Sequence, residues 1–462
     1  MCGIYEDAVV IFMICLKFIQ GVYLNSTLSF LMDLLLFMGL PWLIWVGVRK
    51  KLPLAVIPIL VGMVISGLHL PIKSLGLPSP LGNSLGLIGV ILLAFTAGLE
   101  MRHSPEGTSH GGSRPMPALR PLRIGLSALF ALGLPFMAAT LVSYHHFLNV
   151  PAWVPEHGKS WLAAMAIGLC IAVSALPVLV GLVQEFAPAH KVYGYIALTV
   201  ALLDDVVLWL GLGAIQIAAN IHGGPGFGHE QLMAAYCLAA LFIFSLVTNR
   251  HSHNVPGWLA WLVALVYLFG GAWASERLGV HELIGAYFAG ALLPPHWMKK
   301  IHIERVGKAG LVLLAPLFFG HSGLNVNGSV LGWSSLGAAM LLLLISVVTK
   351  VGAAVLIPPV GSLSWRERFG VGSLLQCKGL MEIVAATLLH AQGLLSEYAY
   401  AALVTLAVIS TTITAPIFRA ILPLKRMQGD DAGSGDAAPP QNLVPSAGMV
   451  AAAAQAPANQ GH

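Results

Sequence analysis

Two adjacent carboxylates, Asp204 and Asp205, lie near the middle of a long apolar segment. The segment covers residues 192–220 and contains no other charged residue. A carboxylate at the centre of a bilayer costs on the order of 2.5 kcal/mol or more, so such residues usually mark an ion or proton pathway. Repulsion between neighbouring carboxylates favours a state in which at least one of them holds a proton. Such a pair can trade this proton for a cation.

Other charged residues lie deep inside apolar segments, among them Lys350 in 333–358, and Lys378 and Glu382 in 367–392. A lysine at this depth is costly unless it is paired, and the distance from Lys350 to the inner end of its segment favours a buried partner over snorkelling. Lys378 and Glu382 are four residues apart and could pair on one helical face. Two interpretations of that pair stay open: an ion bridge that holds a broken helix together, and a direct role in transport.

Helix-breaking residues lie near the centres of two apolar segments, 160–185 and 367–392. The first contains Ser-Ala-Leu-Pro at residues 174–177, and the second has Gly372 and Gly379 on either side of its polar residues. Unwound helices near the bilayer midplane free backbone carbonyls that can ligate a cation, although a proline can also be a tolerated kink. The two segments are an odd number of spans apart, so they run in opposite orientations, as an inverted repeat requires.

The composition is that of an all-α polytopic membrane protein. The chain has 462 residues, of which 57% are hydrophobic and 9% are charged, and its mean hydropathy is +0.82. Soluble domains carry roughly 25% charged residues. Apolar runs predict about 13 transmembrane helices, each with roughly 17 to 25 residues. Their approximate bounds are 28–48, 53–70, 84–101, 122–146, 160–185, 191–220, 231–249, 256–275, 280–296, 306–323, 333–358, 367–392 and 398–421.

The ends of the chain differ from this transmembrane part, 28–422. Residues 1–27 form an N-terminal extension with a further apolar run, which could be an extra helix, a poor signal peptide or an over-long start. Residues 423–462 are predicted to be a disordered tail. Of the 24 Lys and Arg residues, 18 fall in loops on one side and 3 on the other, which predicts a multi-pass topology with a cytoplasmic carboxyl terminus.

Several function classes find no support in the sequence. The chain contains neither a phosphate-binding loop nor a dinucleotide fingerprint, so we expect no nucleotide and no other cofactor. The net charge of +5 arises in short loops between apolar runs, which does not favour a nucleic-acid partner. The five cysteines are widely spaced and are interpreted as free thiols. Most of the 17 histidines fall in loops, and His281-Glu282 lacks the second histidine of a zinc protease motif.

Seven stretches, taken in order along residues 30–422, resemble the second monovalent cation:proton antiporter family, which includes sodium/proton exchangers, potassium efflux systems and plant cation exchangers. Each stretch is weak alone, but the set is specific. The stretches are LGLIGVILLAFTAGLEM (85–101), SALPVLVGLVQEF (174–186), ALTVALLDDVVLWL (197–210), GVHELIGAYFAGALLP (279–294), APLFFGHSGLNVN (315–327), TKVGAAVL (349–356) and CKGLMEIVAATLLHAQGLLS (377–396).

The resemblance implies the sodium/proton antiporter fold, an inverted repeat with two crossed discontinuous helices, in a homodimer within the bilayer of the bacterial inner membrane. It implies a dimerisation part at about 28–101 and 256–323, and a mobile core at about 122–220 and 333–422. The chain lacks the nucleotide-binding tail of the potassium efflux relatives, which argues against that branch.

The resemblance also implies roles for the buried charges. Asp205 matches the essential acid that binds both cation and proton, and Asp204 matches a position that is often Asp in sodium exchangers. Lys350 matches a lysine that pairs with Asp204 and releases it when the ion binds, and Lys378 and Glu382 match a basic and acidic pair on the broken helix. One departure is His281, a position where relatives commonly have a small or apolar residue.

We predict an antiporter, not an enzyme, that exchanges Na⁺, or alternatively K⁺, for protons and contributes to pH homeostasis. A hard cation prefers oxygen ligands, which Asp205, Asp204 and the hydroxyl and backbone oxygens around Ser174 can supply. This transported cation is the only metal ion expected. Two carboxylates suggest two protons per cation and hence electrogenic exchange.

Three rival functions stay open as alternatives. An ion-coupled symporter of a small organic solute on a related fold would need an additional substrate pocket. A channel would not couple cation and proton movement. An intramembrane protease could use Ser322 in a Gly-His-Ser-Gly string together with His390, but it leaves the paired aspartates and the buried lysines unexplained.

Overall fold

The computed structural model describes residues 27–48, 56–68, 76–100, 121–175, 178–179, 182–183, 188–219, 229–250, 256–294 and 310–422, all within one unit, Met1–Leu422. Three predicted features fall outside these residues. They are the apolar run near the amino terminus, the tail 423–462, and Pro177 in the first helix break.

Nearly all of the described residues are helical, and no strand occurs among them, which confirms the all-α prediction. The helices are α1 (Thr27–Gly47), α2 (Val56–Gly67), α3 (Pro80–Glu100), α4 (Pro121–Val142, continued by a π-helical turn at Ser143–Phe147), α5 (Ser160–Ala172), α6 (Pro188–Ala219), α7 (His229–Arg250), α8 (Gly257–Arg277), α9 (Glu282–Leu292), α10 (Ala315–Leu324), α11 (Trp333–Leu356), α12 (Trp365–Leu375), α13 (Leu380–Ala391) and α14 (Glu397–Ile421).

Every predicted transmembrane segment contains a helix among the described residues. Eight helices are long and apolar enough to cross a membrane by length and composition, and several shorter apolar helices lie between them. The shorter ones include α5 and α13, which end or begin at the predicted breaks. The total number of crossings stays a prediction.

Two sets of helices pack mainly among themselves. In the first set, α3 packs on α9 and α10, α2 packs on α10, and α8 packs on α7 and α9. In the second set, α4 packs on α5 and α11, α11 packs on α12 and α14, and α6 packs on α5 and α12. Contacts between the sets are sparse and include α6 with α9 and α10 with α13. The assignment of one set to dimerisation and the other to movement stays a prediction.

Glycines allow the closest backbone approaches in the first set. A Cβ atom on Gly62 of α2 would collide with the carbonyl oxygen of Gly320 on α10, and one on Gly98 of α3 would collide with the carbonyl oxygen of Tyr287 on α9. Small residues at such crossings let apolar helices associate through van der Waals contact, where burial from water supplies no driving force. This set is therefore held tightly at its crossings.

Candidate functional site

Two interrupted helices meet at the centre of the second set. Helix α5 ends at Ala172, and the backbone of Val173 is extended, with φ −80° and ψ 149°. Helices α12 and α13 are separated by residues 376–379, which do not continue the helix. The backbone N–H of Ala175 donates to the carbonyl oxygen of Cys377 at 2.8 Å. The two breaks therefore touch through their backbones, in agreement with the predicted crossing of discontinuous helices.

Ser174, Asp204 and Lys350 form a buried hydrogen-bonded cluster at this crossing. Lys350 Nζ donates to Asp204 Oδ2 at 3.1 Å and also to the Ser174 hydroxyl. Ser174 Oγ lies 2.8 Å from Asp204 Oδ2 and 2.7 Å from the carbonyl oxygen of Leu375. The cluster thus joins α6 and α11 to both breaks. It contains the Asp204–Lys350 pairing that the resemblance implied, whereas the role of this pair in ion binding stays a prediction.

Asp205 is also buried, but it points in another direction. Successive residues of an α-helix are about 100° apart around its axis. Asp204 carries the hydrogen bonds to the breaks, and Asp205 lies close enough to Tyr287 of α9 to interact with it electrostatically. The Tyr287 ring stacks on Trp209, one turn after Asp205, with ring centroids 5.3 Å apart. Asp205 therefore lies where α6 of the second set meets α9 of the first.

Lys378 does not form the predicted ion pair with Glu382. Its ammonium donates to the carbonyl oxygen of Val173 at 2.7 Å and to that of Ile171, and neither carboxylate oxygen of Glu382 has a hydrogen-bond partner among the described residues. The physical reason is that Lys378 precedes α13, which begins at Leu380, so the helical four-residue spacing does not bring the two side chains together.

The carbonyls that Lys378 contacts are strong acceptors. The last carbonyls of a helix lack intrahelical donors and form the negative end of the helix dipole. The Lys378 ammonium satisfies two of them at the end of α5. One of the two earlier interpretations of this residue, a structural link at the broken helix, agrees with this contact, although the partner is backbone and not Glu382.

Sequence reasoning missed a polar link beside the cluster. Ser346 of α11 has its hydroxyl 3.0 Å from Gln376 Oε1 and 3.2 Å from the carbonyl oxygen of Ile171. The available signal was its spacing, because Ser346 lies four residues before Lys350 and therefore on the same helical face. The hydroxyls of Ser410 and Thr411 were missed as well, and their contacts are described below.

A second buried acid–base contact, between Asp33 of α1 and His321 of α10, was also missed. Asp33 Oδ1 lies 3.1 Å from His321 Nε2, and Asp33 Oδ2 accepts hydrogen bonds from the backbone N–H and the hydroxyl of Ser79, at 2.9 and 2.5 Å. The available signal was a single acid within the predicted apolar segment 28–48.

The geometry does not support the protease alternative. The Ser322 hydroxyl lies 3.3 Å from Thr387 Oγ1. The His390 ring stacks on Tyr400 at 4.6 Å, and its Nδ1 lies 2.9 Å from the carbonyl oxygen of Leu395. A serine nucleophile needs a base within hydrogen-bond reach, and Ser322 and His390 share no hydrogen bond in the described part of the chain.

His281, the departure from the family pattern, has a structural contact. It caps the amino terminus of α9, since its Nδ1 accepts from the backbone N–H of Leu283 at 3.3 Å. Its own backbone N–H donates to Gln216 Oε1 on α6 at 3.0 Å. His281 therefore links the first turn of α9 to the helix that carries Asp204 and Asp205.

The charges of Asp204, Lys350 and the neighbouring Asp205 determine what this site can bind. With Lys350 protonated and both aspartates ionised, Asp204, Asp205 and Lys350 carry one net negative charge. An uncompensated charge in a low-dielectric interior is strongly unfavourable. One proton or one monovalent cation removes it, and carboxylate and hydroxyl oxygens suit a hard cation. Proton and cation can therefore compete for the same oxygens.

The chain was compared with families and proteins of known identity. The family model described as "Sodium/hydrogen exchanger, transmembrane" matches residues 34–422. K(+)/H(+) antiporter 1 of Saccharomyces cerevisiae is 26% identical over 365 residues, which are 74% of this chain and 39% of the yeast protein. Cation/H(+) antiporter 17 of Arabidopsis thaliana is 25% identical over 76% of this chain and 42% of its own length. The chain thus spans about two fifths of the length of these relatives.

Shorter relatives are matched over most of their length. Na(+)/H(+) antiporter NhaS4 of Synechocystis sp. is 25% identical over 398 residues, which cover 79% of this chain and 91% of that protein. Among solved structures, the sodium proton antiporter MjNhaP1 of Methanocaldococcus jannaschii at pH 8 superposes with a TM-score of 0.54 at 14% identity, over 86% of this chain and 97% of that one. This likeness confirms the predicted fold.

Proposed function

The chain belongs to the sodium/hydrogen exchanger family, and we propose that it is a secondary antiporter that exchanges a monovalent cation, with Na⁺ preferred over K⁺, for protons across a membrane. The observation that carries the proposal is the buried cluster of Asp204, Lys350 and Ser174 at the meeting of two helix breaks, with Asp205 next to it. Relatives named as Na⁺/H⁺, K⁺/H⁺ and cation/H⁺ antiporters support the same activity.

Competition for one site produces the coupling. The empty site keeps a net negative charge, so its passage through the bilayer is opposed by the cost of a buried charge. While Lys350 keeps its proton, the site becomes neutral when Asp205 binds a proton or when the aspartates bind a cation. Only these two loaded forms cross in alternating access, so a cation that moves one way is exchanged for a proton that moves the other way.

Lys350 determines the stoichiometry in this mechanism. If Lys350 keeps its proton throughout, one proton exchanges for one monovalent cation and the cycle carries no net charge. If the bound cation displaces Lys350 from Asp204 and the lysine then loses its proton, two protons exchange for one cation. In that cycle the cation-loaded site carries one negative charge and the proton-loaded site is neutral. We propose this second, electrogenic cycle, because Asp204 is the only carboxylate partner of the Lys350 ammonium in the described residues.

The proposal includes the surroundings of the protein. We propose that it is a homodimer in the inner membrane of a bacterium. Its carboxyl terminus would lie in the cytoplasm, because the loops on that side hold the excess of Lys and Arg. The first set of helices would form the dimer, and the second would carry the ion. No enzymatic reaction, resident metal, cofactor or nucleotide takes part in this cycle.

Proton movement in vesicles tests the function. The purified full chain is placed in proteoliposomes with an acidic interior and a pH-sensitive dye, and Na⁺, K⁺ or Li⁺ is added outside in turn. We expect Na⁺ to raise the internal pH most. A pH change that depends on an imposed membrane potential identifies the electrogenic cycle. Uptake of an organic solute without cation-driven proton movement would instead support the ion-coupled symporter.

A further inference from the structure

The interrupted backbone between α12 and α13 is held by a hydroxyl of α14. Ser410 Oγ donates to the carbonyl oxygen of Gln376 at 2.8 Å and accepts from the backbone N–H of Lys378 at 3.3 Å. In a continuous helix that carbonyl would accept from residue 380, and that N–H would donate to residue 374. One buried side chain therefore replaces two hydrogen bonds that the break has removed.

Thr411 provides a second link to the same peptide. Its Oγ1 lies 2.6 Å from the carbonyl oxygen of Lys378 and 2.7 Å from that of Ala407, within its own helix. A threonine hydroxyl has one proton to donate, so these two carbonyl oxygens share it. The backbone of Lys378 is thus held through its N–H by Ser410 and through its carbonyl by Thr411.

The other two carbonyls of the break are held from α5. The carbonyl oxygen of Leu375 accepts from the Ser174 hydroxyl at 2.7 Å, and that of Cys377 accepts from the N–H of Ala175 at 2.8 Å. Each of the four carbonyl oxygens from Leu375 to Lys378 therefore lies within hydrogen-bond distance of a protein donor, and Ser174 and Thr411 each share one proton between two acceptors. Whether unwound carbonyls also ligate the cation stays a prediction, since a carbonyl oxygen has two lone pairs.

Lys378 connects the fixed backbone of this break to the ion site. Its side chain donates to the carbonyl oxygens of Ile171 and Val173, immediately before Ser174. The Ser174 hydroxyl in turn contacts Asp204 and Lys350. A displacement of the Lys378 backbone would therefore move the end of α5 and change the position of the Ser174 oxygen relative to Asp204.

We propose that Ser410 and Thr411 are positioning residues for the ion site: their hydroxyls fix the Lys378 backbone so that its ammonium places Ser174 against Asp204. Neither residue ligates the cation. The inference rests on the proposed antiport function, since its effect is on cation affinity. Both residues are buried on α14, at 0% and 2% exposure, so their hydroxyls have no water to replace these contacts.

The test compares four variants of the full chain in proteoliposomes: Ser410→Ala, Thr411→Val, Thr411→Ser and Thr412→Val. Thr412 is the matched control, because its Oγ1 donates to the carbonyl of Val408 within α14. The apparent KM for Na⁺ and the maximal rate are measured from proton movement, and the thermal midpoint is measured with and without Na⁺.

We expect Ser410→Ala and Thr411→Val to raise the apparent KM for Na⁺ by roughly fivefold or more, which is the effect of losing about one buried hydrogen bond. Their Na⁺-induced thermal shifts should shrink in parallel. Thr411→Ser keeps the hydroxyl and should stay within about twofold of the wild type, as should Thr412→Val.

Each alternative result has a clear meaning. An unchanged KM in both Ser410→Ala and Thr411→Val, or an equal rise in Thr412→Val, overturns the positioning role. If Ser410→Ala does not fold, Thr411→Val decides, because it preserves side-chain volume. Misfolding of both, while Thr412→Val folds normally, shows a purely structural role and also overturns the proposal. A wild-type protein that moves no protons with any cation refutes the antiport function itself.

Discussion

Two buried acid–base contacts have the same nitrogen–oxygen distance but different surroundings: Asp204 with Lys350, and Asp33 with His321. In each contact a carboxylate oxygen lies 3.1 Å from a nitrogen, and all four side chains are buried. The Asp204 contact lies where two interrupted helices meet, and a second carboxylate, Asp205, follows it directly. The Asp33 contact joins α1 to α10 within the closely packed first set.

One carboxylate oxygen of Asp33, Oδ2, carries two hydrogen bonds, and the other, Oδ1, has only the close contact with His321 among the described residues. Ser79 donates both hydrogen bonds to Oδ2, and the ring of Phe37 meets the His321 ring edge-on at 5.4 Å. The part of the chain that the structure describes places no second carboxylate in this cluster. The comparison teaches that burial of an acid does not by itself make an ion site. A neighbouring acid with uncompensated charge and a backbone break beside it distinguish the transport candidate from an anchor.

The largest expected effect separates the two regions directly. Asp205→Asn removes the exchangeable proton and one ligand charge, so Na⁺-driven proton movement should fall to background while the protein still folds. Asp33→Asn is the matched control, since it also neutralises a buried acid, and it should retain transport. Dye dequenching in proteoliposomes measures both. Robust cation-driven dequenching by a well-folded Asp205→Asn protein would falsify the site assignment.

The next effect is the energetic coupling of Asp204 and Lys350. Removal of either partner leaves a buried unpaired charge, which costs roughly 3 kcal/mol or more. Asp204→Asn and Lys350→Gln should each lower the thermal midpoint and alter the pH profile of transport, and the double variant should lose less than their sum by about 1 kcal/mol or more. Strictly additive losses would remove the case for a functional pair.

Substitutions in the contact between Asp33 and His321 should lower stability and leave the affinity for Na⁺ unchanged. Asp33→Asn and His321→Gln each alter a buried polar contact, with an expected loss of roughly 1 to 3 kcal/mol. The apparent KM for Na⁺ should stay within about twofold of the wild type. Thermal unfolding and the transport assay test this together. A KM change as large as that of Asp204→Asn would show that the two regions are not separate in function.

The smallest expected effect concerns a titratable group outside both regions. His190 precedes the membrane-spanning part of α6, and burial together with the nearby Arg419 lowers the pKa of its imidazole. The folded state therefore binds the proton less readily than the unfolded state, whose histidine pKa is about 6.5. The contribution of His190 to the free energy of unfolding is complete above about pH 6.5. It is lost as the pH falls from about 6.5 towards the lower pKa of the folded state.

Substitution of this histidine isolates its contribution. In His190→Gln, the drop in thermal midpoint between neutral and mildly acidic pH should be smaller than in the wild type, by no more than about 2 °C. The cation affinity at neutral pH should not change. An unaltered pH dependence of the midpoint would mean that His190 contributes nothing to acid sensitivity, and a changed cation affinity would place it in the transport pathway.

Residue chemistry and spacing were enough to find most of the elements. Apolar runs located helices in every predicted segment, because the thickness of a bilayer sets the length of a spanning helix. Ser-Ala-Leu-Pro at residues 174–177 and Gly379 indicated the two breaks, since helix interruption is a local property, whereas Gly372 lies within α12. The sequence also identified Asp204, Asp205 and Lys350, because a charged residue within an apolar segment carries a high free-energy cost of burial.

Local rules failed where partners are distant in the chain. The four-residue spacing suggested that Lys378 pairs with Glu382, but the start of α13 at Leu380 removes the helical geometry on which this expectation depends. The sequence did not predict a partner for Asp33, because Asp33 and His321 are far apart in the chain and share no local pattern. Ser410 was not singled out either, because its partners Gln376 and Lys378 lie more than thirty residues away in the chain.

The sequence by itself determined the membrane class, the helix positions, the two breaks and the buried charged residues that the proposed exchange uses. Only the tertiary structure decided which buried charge meets which partner: Lys350 with Asp204, Lys378 with the last carbonyls of α5, and His321 with Asp33. The physical reason is that helix formation follows from hydrogen bonds and hydrophobicity within a few neighbouring residues. The pairing of charges instead depends on how separate helices pack, which brings together residues more than a hundred positions apart.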